Sequence, residues 1–243
     1  PFVSDLTATQ AEKTPLLGQA RIVFPKRLLR AWFEQLIRIA HRSGTDKLAT
    51  LKPALDANVD ILAVFEASVQ QNDNLLKNLA ASLDIGAEAF PAVMALLPVP
   101  LLQACNRRWS KTVAASWVEG YCPICGAWPT FAETRGIERS RYFRCGRCGS
   151  EWQARMLSCP YCGNTDHEAL ASFVSENSAN SAIDTCKMCL GYVKVFTTLQ
   201  GSSPGAVIVE DLKSVELDLA AADQEYRRPK GIGYRITPFL TVS

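Results

Sequence analysis

Eight of the nine cysteines fall between Cys122 and Cys189 as four Cys-x-x-Cys pairs: Cys122/Cys125, Cys145/Cys148, Cys159/Cys162 and Cys186/Cys189. A Cys-x-x-Cys turn lets two thiolates converge on one cation while neighbouring backbone N–H groups point at the sulfurs. Two such knuckles supply the four sulfurs of a closed tetrahedral site, so the expected content is two metal ions per chain. Gly126, Gly149 and Gly163 follow the second cysteine of three knuckles and permit left-handed backbone there. The fourth knuckle has Leu190 before Gly191 and is expected to turn differently. A secreted disulfide framework would not repeat one spacing four times. The first residues, Pro1-Phe-Val-Ser-Asp5, show no basic stretch followed by an apolar one, so the expected compartment is the reducing cytosol.

Knuckles one and two are separated by 19 residues and knuckles three and four by 23; either gap holds a β-hairpin, and the central gap of 10 residues holds one strand and a link. Cys122-Pro-Ile-Cys-Gly recurs as Cys159-Pro-Tyr-Cys-Gly, each followed by another knuckle. The repeat and local loop closure favour adjacent pairing into two tandem ribbons, with a cross-brace (one with three, two with four) as the alternative. One ion would be held by Cys122, Cys125, Cys145 and Cys148, the other by Cys159, Cys162, Cys186 and Cys189. Each module is too small for an adequate apolar core, so metal has to supply much of its folding free energy. Four thiolates per ion leave no open position for catalytic zinc, so no catalytic residue is assigned. A thiol–disulfide pair expects one motif beside a βαβ pattern. Iron–sulfur clusters also use four thiolates and stay open. His167, beside the third knuckle, reads as a strand or turn residue, His41 as a helix-end histidine favoured by the dipole, and Cys105 as a buried small hydrophobe.

The elements that position the knuckles change character along the chain. Residues 1–120 read as a small antiparallel helical bundle. Pro25 opens the stripe Leu28, Leu29, Trp32, Phe33, Leu36, Ile37, Ala40, which ends at Gly44. Leu55, Val59, Leu62, Phe65, Val69 make a second; Leu75, Leu76, Leu79, Leu83 after an N-cap at Asp73 a third; Leu101, Leu102, Cys105, Trp109, Val113 after Pro100 a fourth. No pair of carboxylates or histidines stands out on these faces, which reads as a packed scaffold. From residue 121, β-prone segments take over: Arg141–Arg144, Glu151–Arg155, Ala169–Val174 and Tyr192–Thr198, with a turn at Asn177–Asn180. The expected organisation is α+β: a helical bundle (1–120), a first four-cysteine zinc-ribbon-like β module (121–156), a second (157–198) and a C-terminal tail (199–243). In the tail Gly201–Gly205 reads as a linker, Val207–Glu210 as a short strand and Asp211–Ala222 as a helix.

The 243 residues are 48% hydrophobic and 21% charged, which rules out wholesale disorder. Twenty-six Lys and Arg against 24 Asp and Glu leave +2, and mean hydropathy is +0.01. So neutral a chain is no general polyanion binder. The most apolar run, Ala89–Leu102, is broken by Pro91, Pro98 and Pro100 and is too short to span a bilayer, so no membrane insertion is expected. Arg135, Arg139, Arg141, Arg144, Arg147 and Arg155 could contact nucleic acid, as many ribbons do. Segment 121–190 holds seven Lys/Arg and seven Asp/Glu, however, and four thiolates around a divalent metal leave −2, so charge balance is the preferred reading.

Several stretches are more specific than the cysteine spacing. They are Cys122-Pro-Ile-Cys-Gly-Ala-Trp-Pro129, Arg141-Tyr-Phe-Arg-Cys-Gly-Arg-Cys-Gly-Ser-Glu-Trp152, Arg155-Met-Leu-Ser-Cys-Pro-Tyr-Cys-Gly163, Cys186-Lys-Met-Cys-Leu-Gly-Tyr-Val-Lys194, Asp211-Leu-Lys-Ser-Val-Glu-Leu-Asp-Leu219 and Tyr226-Arg227. In these, and in having a helical half before four knuckles, the chain resembles the formate dehydrogenase accessory proteins of the FdhE family. The resemblance implies a non-enzymatic cytoplasmic assembly factor that contacts the catalytic subunit of formate dehydrogenase before export. It also implies rubredoxin-like iron at the four-cysteine sites; zinc is the alternative, since both metals accept four thiolates. Two other readings stand beside it, a ribbon-based nucleic-acid-binding protein and a redox protein cycling iron or thiols. A homodimer is left open.

Overall fold

The computed structural model describes residues 2–3, 13–42, 44–56, 58–86, 88–175, 178–237 and 239–242. The chain forms two compact units, one built on Gly18–Leu101 with the terminal strands, the other on Leu102–Arg235 with residues 13–17.

In the first unit the expected stripes become helices. α1 (Lys26–Arg42) starts after Pro25, whose carbonyl accepts from Leu28 and Leu29, and buries Leu29, Phe33, Ile37 and Ala40; Gly44 follows at φ +82°. After the short α2 (Asp46–Ala49) and a 3-10 turn at Lys52–Leu55, α3 (Ile61–Val69) is capped by Asp60, whose Oδ1 accepts from Leu62 and Ala63. α4 (Asp73–Ser82) is capped by Asn72, one residue before the expected Asp73. α5 (Ala89–Met94) buries Phe90 and Met94, and Phe24 and Phe65 pack edge-to-face at 5.1 Å. These helices share their unit with a three-stranded sheet that the helical reading of 1–120 did not include. Its strands are β1 (Phe2–Val3), β2 (Arg21–Phe24) and β9 (Phe239–Val242), with β2 central and parallel to β9. The helical run Ala89–Thr112 is longer than the expected Ala89–Leu102. By length and composition it could cross a membrane, but 56% of its most apolar 18-residue window is buried inside the protein, as in a core helix.

α6 (Val99–Trp109) leads into the second unit, where Cys105 is fully buried. Its sheet has six strands in the order β5-β4-β3-β8-β7-β6: β3 (Phe131–Arg135), β4 (Ser140–Arg144), β5 (Glu151–Gln153), β6 (Leu170–Ser175), β7 (Ser178–Cys186) and β8 (Gly191–Thr198). β3–β5 and β6–β8 are the two expected ribbons. They are fused, because β3 runs parallel to β8, Phe131 facing Lys194 and Arg135 facing Thr198. The expected turn at Asn177–Asn180 begins at residues outside the described ones; Ser178–Asn180 belong to β7.

The tail differs from its expectation. Val207–Glu210 is the first half of α7 (Ala206–Lys213), and α8 (Val215–Asp223) follows directly. Leu217 and Ala221 of α8 pack on Ile183 and Tyr192 of the sheet. A buried ion network fixes the position. Lys194 is fully buried, and its Nζ lies 2.6 Å from Asp211 Oδ1 and 3.0 Å from Asp218 Oδ2; it also donates to Ser214 Oγ at 2.9 Å. Arg228 closes the ring on Asp211 and Asp218. Nor does the expected linker hang free. Ser202 N–H donates to Glu133 Oε1 at 3.0 Å and its carbonyl accepts from Arg144 Nη2 at 2.6 Å.

Candidate metal centre

All eight paired cysteines gather into two clusters, Cys122/Cys125/Cys145/Cys148 and Cys159/Cys162/Cys186/Cys189, with the sulfurs of each within 4.8 Å of one another. Knuckle one meets two and three meets four, so the cross-brace is not the arrangement. The nearest sulfur pairs are 3.5 Å (Cys122–Cys148), 3.5 Å (Cys125–Cys145), 3.6 Å (Cys159–Cys189) and 3.7 Å (Cys162–Cys186). A tetrahedron with metal–sulfur bonds of about 2.3 Å has edges of about 3.8 Å, so both donor sets fit a four-thiolate ion.

Each knuckle is a closed local turn. Gly126 N–H donates to Cys122 O, Gly149 to Cys145 O and Gly163 to Cys159 O, at 2.9, 2.9 and 3.0 Å. These glycines have φ of 72°, 76° and 72°. The fourth knuckle does not turn differently: Leu190 takes the same left-handed step at φ 54°. Its glycine is displaced by one position for a packing reason, since a Cβ on Gly191 would stand 2.6 Å from the Tyr161 ring. Arg227 N–H donates to Leu190 O and ties this turn to the segment after α8.

Close packing sets the thiols of each cluster against one another. Burial raises the pKa of Cys122 and Cys148, whereas hydrogen bonds from Cys122, Cys125 and Cys148 hold Cys145 well below the usual thiol value. At Cys186 burial pushes upward but is outweighed by the backbone N–H groups of Cys189 and Met188 and by neighbouring thiols, so the net shift is downward. Four thiolates so close together are stable only around a positive charge.

The two centres differ in cover. The first is fully buried: Leu16 and Leu17 N–H donate to the carbonyls of Pro123 and Ile124, and Tyr234 N–H donates to Gly126 O, roofing its first knuckle. In the second, Cys162 is exposed and Cys189 half-buried. Asn164 Nδ2 lies 4.0 Å from Cys186 Sγ. The two sets are linked by Trp128 packing edge-to-face on Tyr161 at 5.3 Å, and by Gly120, which lies so close to the Pro160 carbonyl that no Cβ fits.

His167 is 82% exposed beside Asp166 and joins neither cluster; His41 lies in the last turn of α1. Burial pushes the Cys105 thiol up to about 12. Three of the six arginines face inward: Arg135 and Arg144 pair with Glu133 and Glu151, and Arg141 with Asp184. That favours charge balance over a nucleic-acid face. Sequence reasoning missed the Lys194 network, for which the signal was one lysine inside the apolar strand Tyr-Val-Lys-Val-Phe.

No family model matches the chain. Curated relatives named "Protein FdhE homolog" do. That of Aquifex aeolicus is 34% identical over 113 residues, 45% of this chain and 40% of the relative; that of Serratia proteamaculans is 28% identical over 209 residues, 82% and 65%; that of Haemophilus influenzae Rd is 26% identical over 246 residues, 93% and 78%. The first of these matches thus spans well under half of the relative's length. The crystal structure of the FdhE protein from Pseudomonas aeruginosa aligns with TM-score 0.54 at 21% identity, covering 87% of this chain and 74% of that one, and shares its fold. The chain therefore resembles FdhE-type proteins in sequence and in fold.

Proposed function

We propose that this chain is a cytoplasmic accessory factor, not itself an enzyme, needed to assemble active formate dehydrogenase. It binds the catalytic subunit of that enzyme before export. The helical part (1–120) serves as scaffold and part of the docking surface. The ribbons (121–156 and 157–198) present the rest, and the segment 199–243 braces them. Cys122, Cys125, Cys145 and Cys148 hold one ion and Cys159, Cys162, Cys186 and Cys189 a second, rubredoxin-like iron with zinc as the alternative. The bound ion would supply the charge that lets four thiolates sit together, and so the rigidity of each ribbon.

The observation that carries this reading is the pair of complete four-sulfur clusters on one sheet, in a chain similar over most of its length to FdhE homologues. The test uses cells lacking the native protein. Replacing Cys159 and Cys162 by Ser should abolish formate dehydrogenase activity and capture of the catalytic subunit, because serine hydroxyls are not deprotonated as metal-bound thiols are. Cys105→Ala should leave both readouts nearly unchanged. Full activity and normal capture by the double variant would sink the proposal. The exposure of Cys162 favours one second reading, redox cycling at the second centre. Normal capture with lost activity would support it.

A further inference from the structure

On the sheet face beside the second centre lies a cavity of about 230 Å³, lined by Arg141, Met156, Leu157, Leu170, Asp184 and Val193 among others. Cys159 and Cys186 of the second centre also line it, but the accessory-factor reading gives no role to Arg141, Asp184 or the apolar side chains.

Arg141 sets the chemistry. Its side chain is only 5% exposed. Nη1 donates to Met156 O at 2.8 Å, and the guanidinium carbon stands 5.3 Å from the centre of the Phe143 ring. Nη2 lies 2.9 Å from Asp184 Oδ2 yet outside hydrogen-bonding geometry, and Nε has no acceptor. Burying a guanidinium with donors unmet is costly. Burial depresses the pKa of Arg141, with Asp184, Cys159 and Tyr161 opposing. The two unmet donors, Nε and Nη2, share one edge of the guanidinium fork, the edge that takes a carboxylate by two parallel hydrogen bonds. Around it Leu170 and Val193 supply aliphatic wall beside Tyr161, Tyr192 and Thr185, and Met156 and Leu157 stand 53% and 66% exposed. A smaller apolar cavity, about 150 Å³, accommodates benzene, so a chain of about six carbons has room here. A phosphate, with more charge than a carboxylate, would be repelled more strongly by Asp184.

We propose that this cavity binds a carboxylate at the end of a short apolar chain, held on the free edge of Arg141 with the chain against Leu170 and Val193. Asp184, 30% exposed, is the internal stand-in that the ligand displaces toward water.

The proposal gives the two charged residues opposite signs, which a structural ion pair would not. The test is calorimetric titration of the full-length, metal-loaded protein with hexanoate and, as control, hexanamide. Saturable binding of hexanoate with hexanamide about tenfold or more weaker is expected, the loss of a charge-assisted pair. Equal binding of both, or none in the millimolar range, overturns the proposal without any variant. Arg141→Gln should weaken hexanoate about 10- to 100-fold, and Asp184→Asn should tighten it several-fold. If Asp184→Asn instead weakens binding as much as Arg141→Gln, the pair is structural and the reading falls. Acetyl-Leu-Leu with a free or an amidated C-terminus distinguishes the source. Binding of the free acid tighter than hexanoate points to a protein C-terminus, and binding of hexanoate alone to a free carboxylic acid.

Discussion

Lys194→Met should loosen the C-terminal helices from the sheet. Methionine keeps most of the length and the apolar character of the lysine stem but removes its charge. Nζ touches Asp211 Oδ1, Asp218 Oδ2 and Ser214 Oγ, at 2.6, 3.0 and 2.9 Å, from a fully buried position. Removing one partner of a buried pair costs about 3–5 kcal/mol. Here the aspartates are 24% and 27% exposed and keep Arg228, so water and one cation still reach them. The expected loss is therefore nearer about 2–3 kcal/mol. At about 2–4 °C per kcal/mol for a chain of this size, the melting temperature should fall by about 4–12 °C. Hydrogen exchange localises the effect: amides of α7 and α8 should lose protection before those of β3 and β4. Adding Asp218→Asn should restore part of the loss, because it removes one of the stranded charges. A single variant costing less than about 0.5 kcal/mol, or one that leaves exchange in α7 and α8 unchanged, would refute the view that Lys194 holds the tail.

Metal analysis should give two ions per chain, and a chelator should remove them in two phases, first from the cluster with exposed Cys162 and then from the buried one; a single phase counts against independent covers. Acid should destabilise the second unit. At Asp218 and Glu133 burial raises the pKa but is outweighed, by Tyr192, Arg228 and Lys194 at the former and by Ser202, Arg135 and Arg144 at the latter, so both are lowered. Their stabilisation is fully present above the unfolded values near pH 4 and is lost as pH falls through the lower folded values, which denaturant titrations between about pH 6 and pH 3 would measure. Gly120→Ala drives a Cβ into the Pro160 carbonyl and should cost more than about 2 kcal/mol in thermal unfolding, whereas Gly136→Ala meets nothing within 4 Å and should cost only the strain of its left-handed φ.

The clusters were legible because ligand spacing is a local constraint. A Cys-x-x-Cys turn closes on itself, and the repeat named the partners. The helices were legible for the same reason, since the stripe on α1 is a property of consecutive residues. The joint between β3 and β8 was not, because alternation says which face a strand buries but not which strand lies beside it 60 or so residues away. The pairing of β2 with β9 escaped for that reason too. Val207–Glu210 misled through propensity: a β-branched run reads as a strand, but burial of Val207 and the Lys194 network hold it helical. Arg141 and Asp184 lie on different hairpins, so their meeting is a product of the fused sheet alone.

That fusion also bears on self-association. Two separate three-stranded ribbons would expose four strand edges, each a row of unpaired N–H and C=O groups ready to template another chain. Pairing β3 with β8 satisfies two of these rows internally and leaves β5 and β6 at the margins. β5 has three residues, a poor template. β6 has six and carries Phe173 and Val174 at 39% and 66% exposure. The aggregation hazard of the sheet is thereby confined to one border, and a lysine placed at Val174 is the economical way to blunt it.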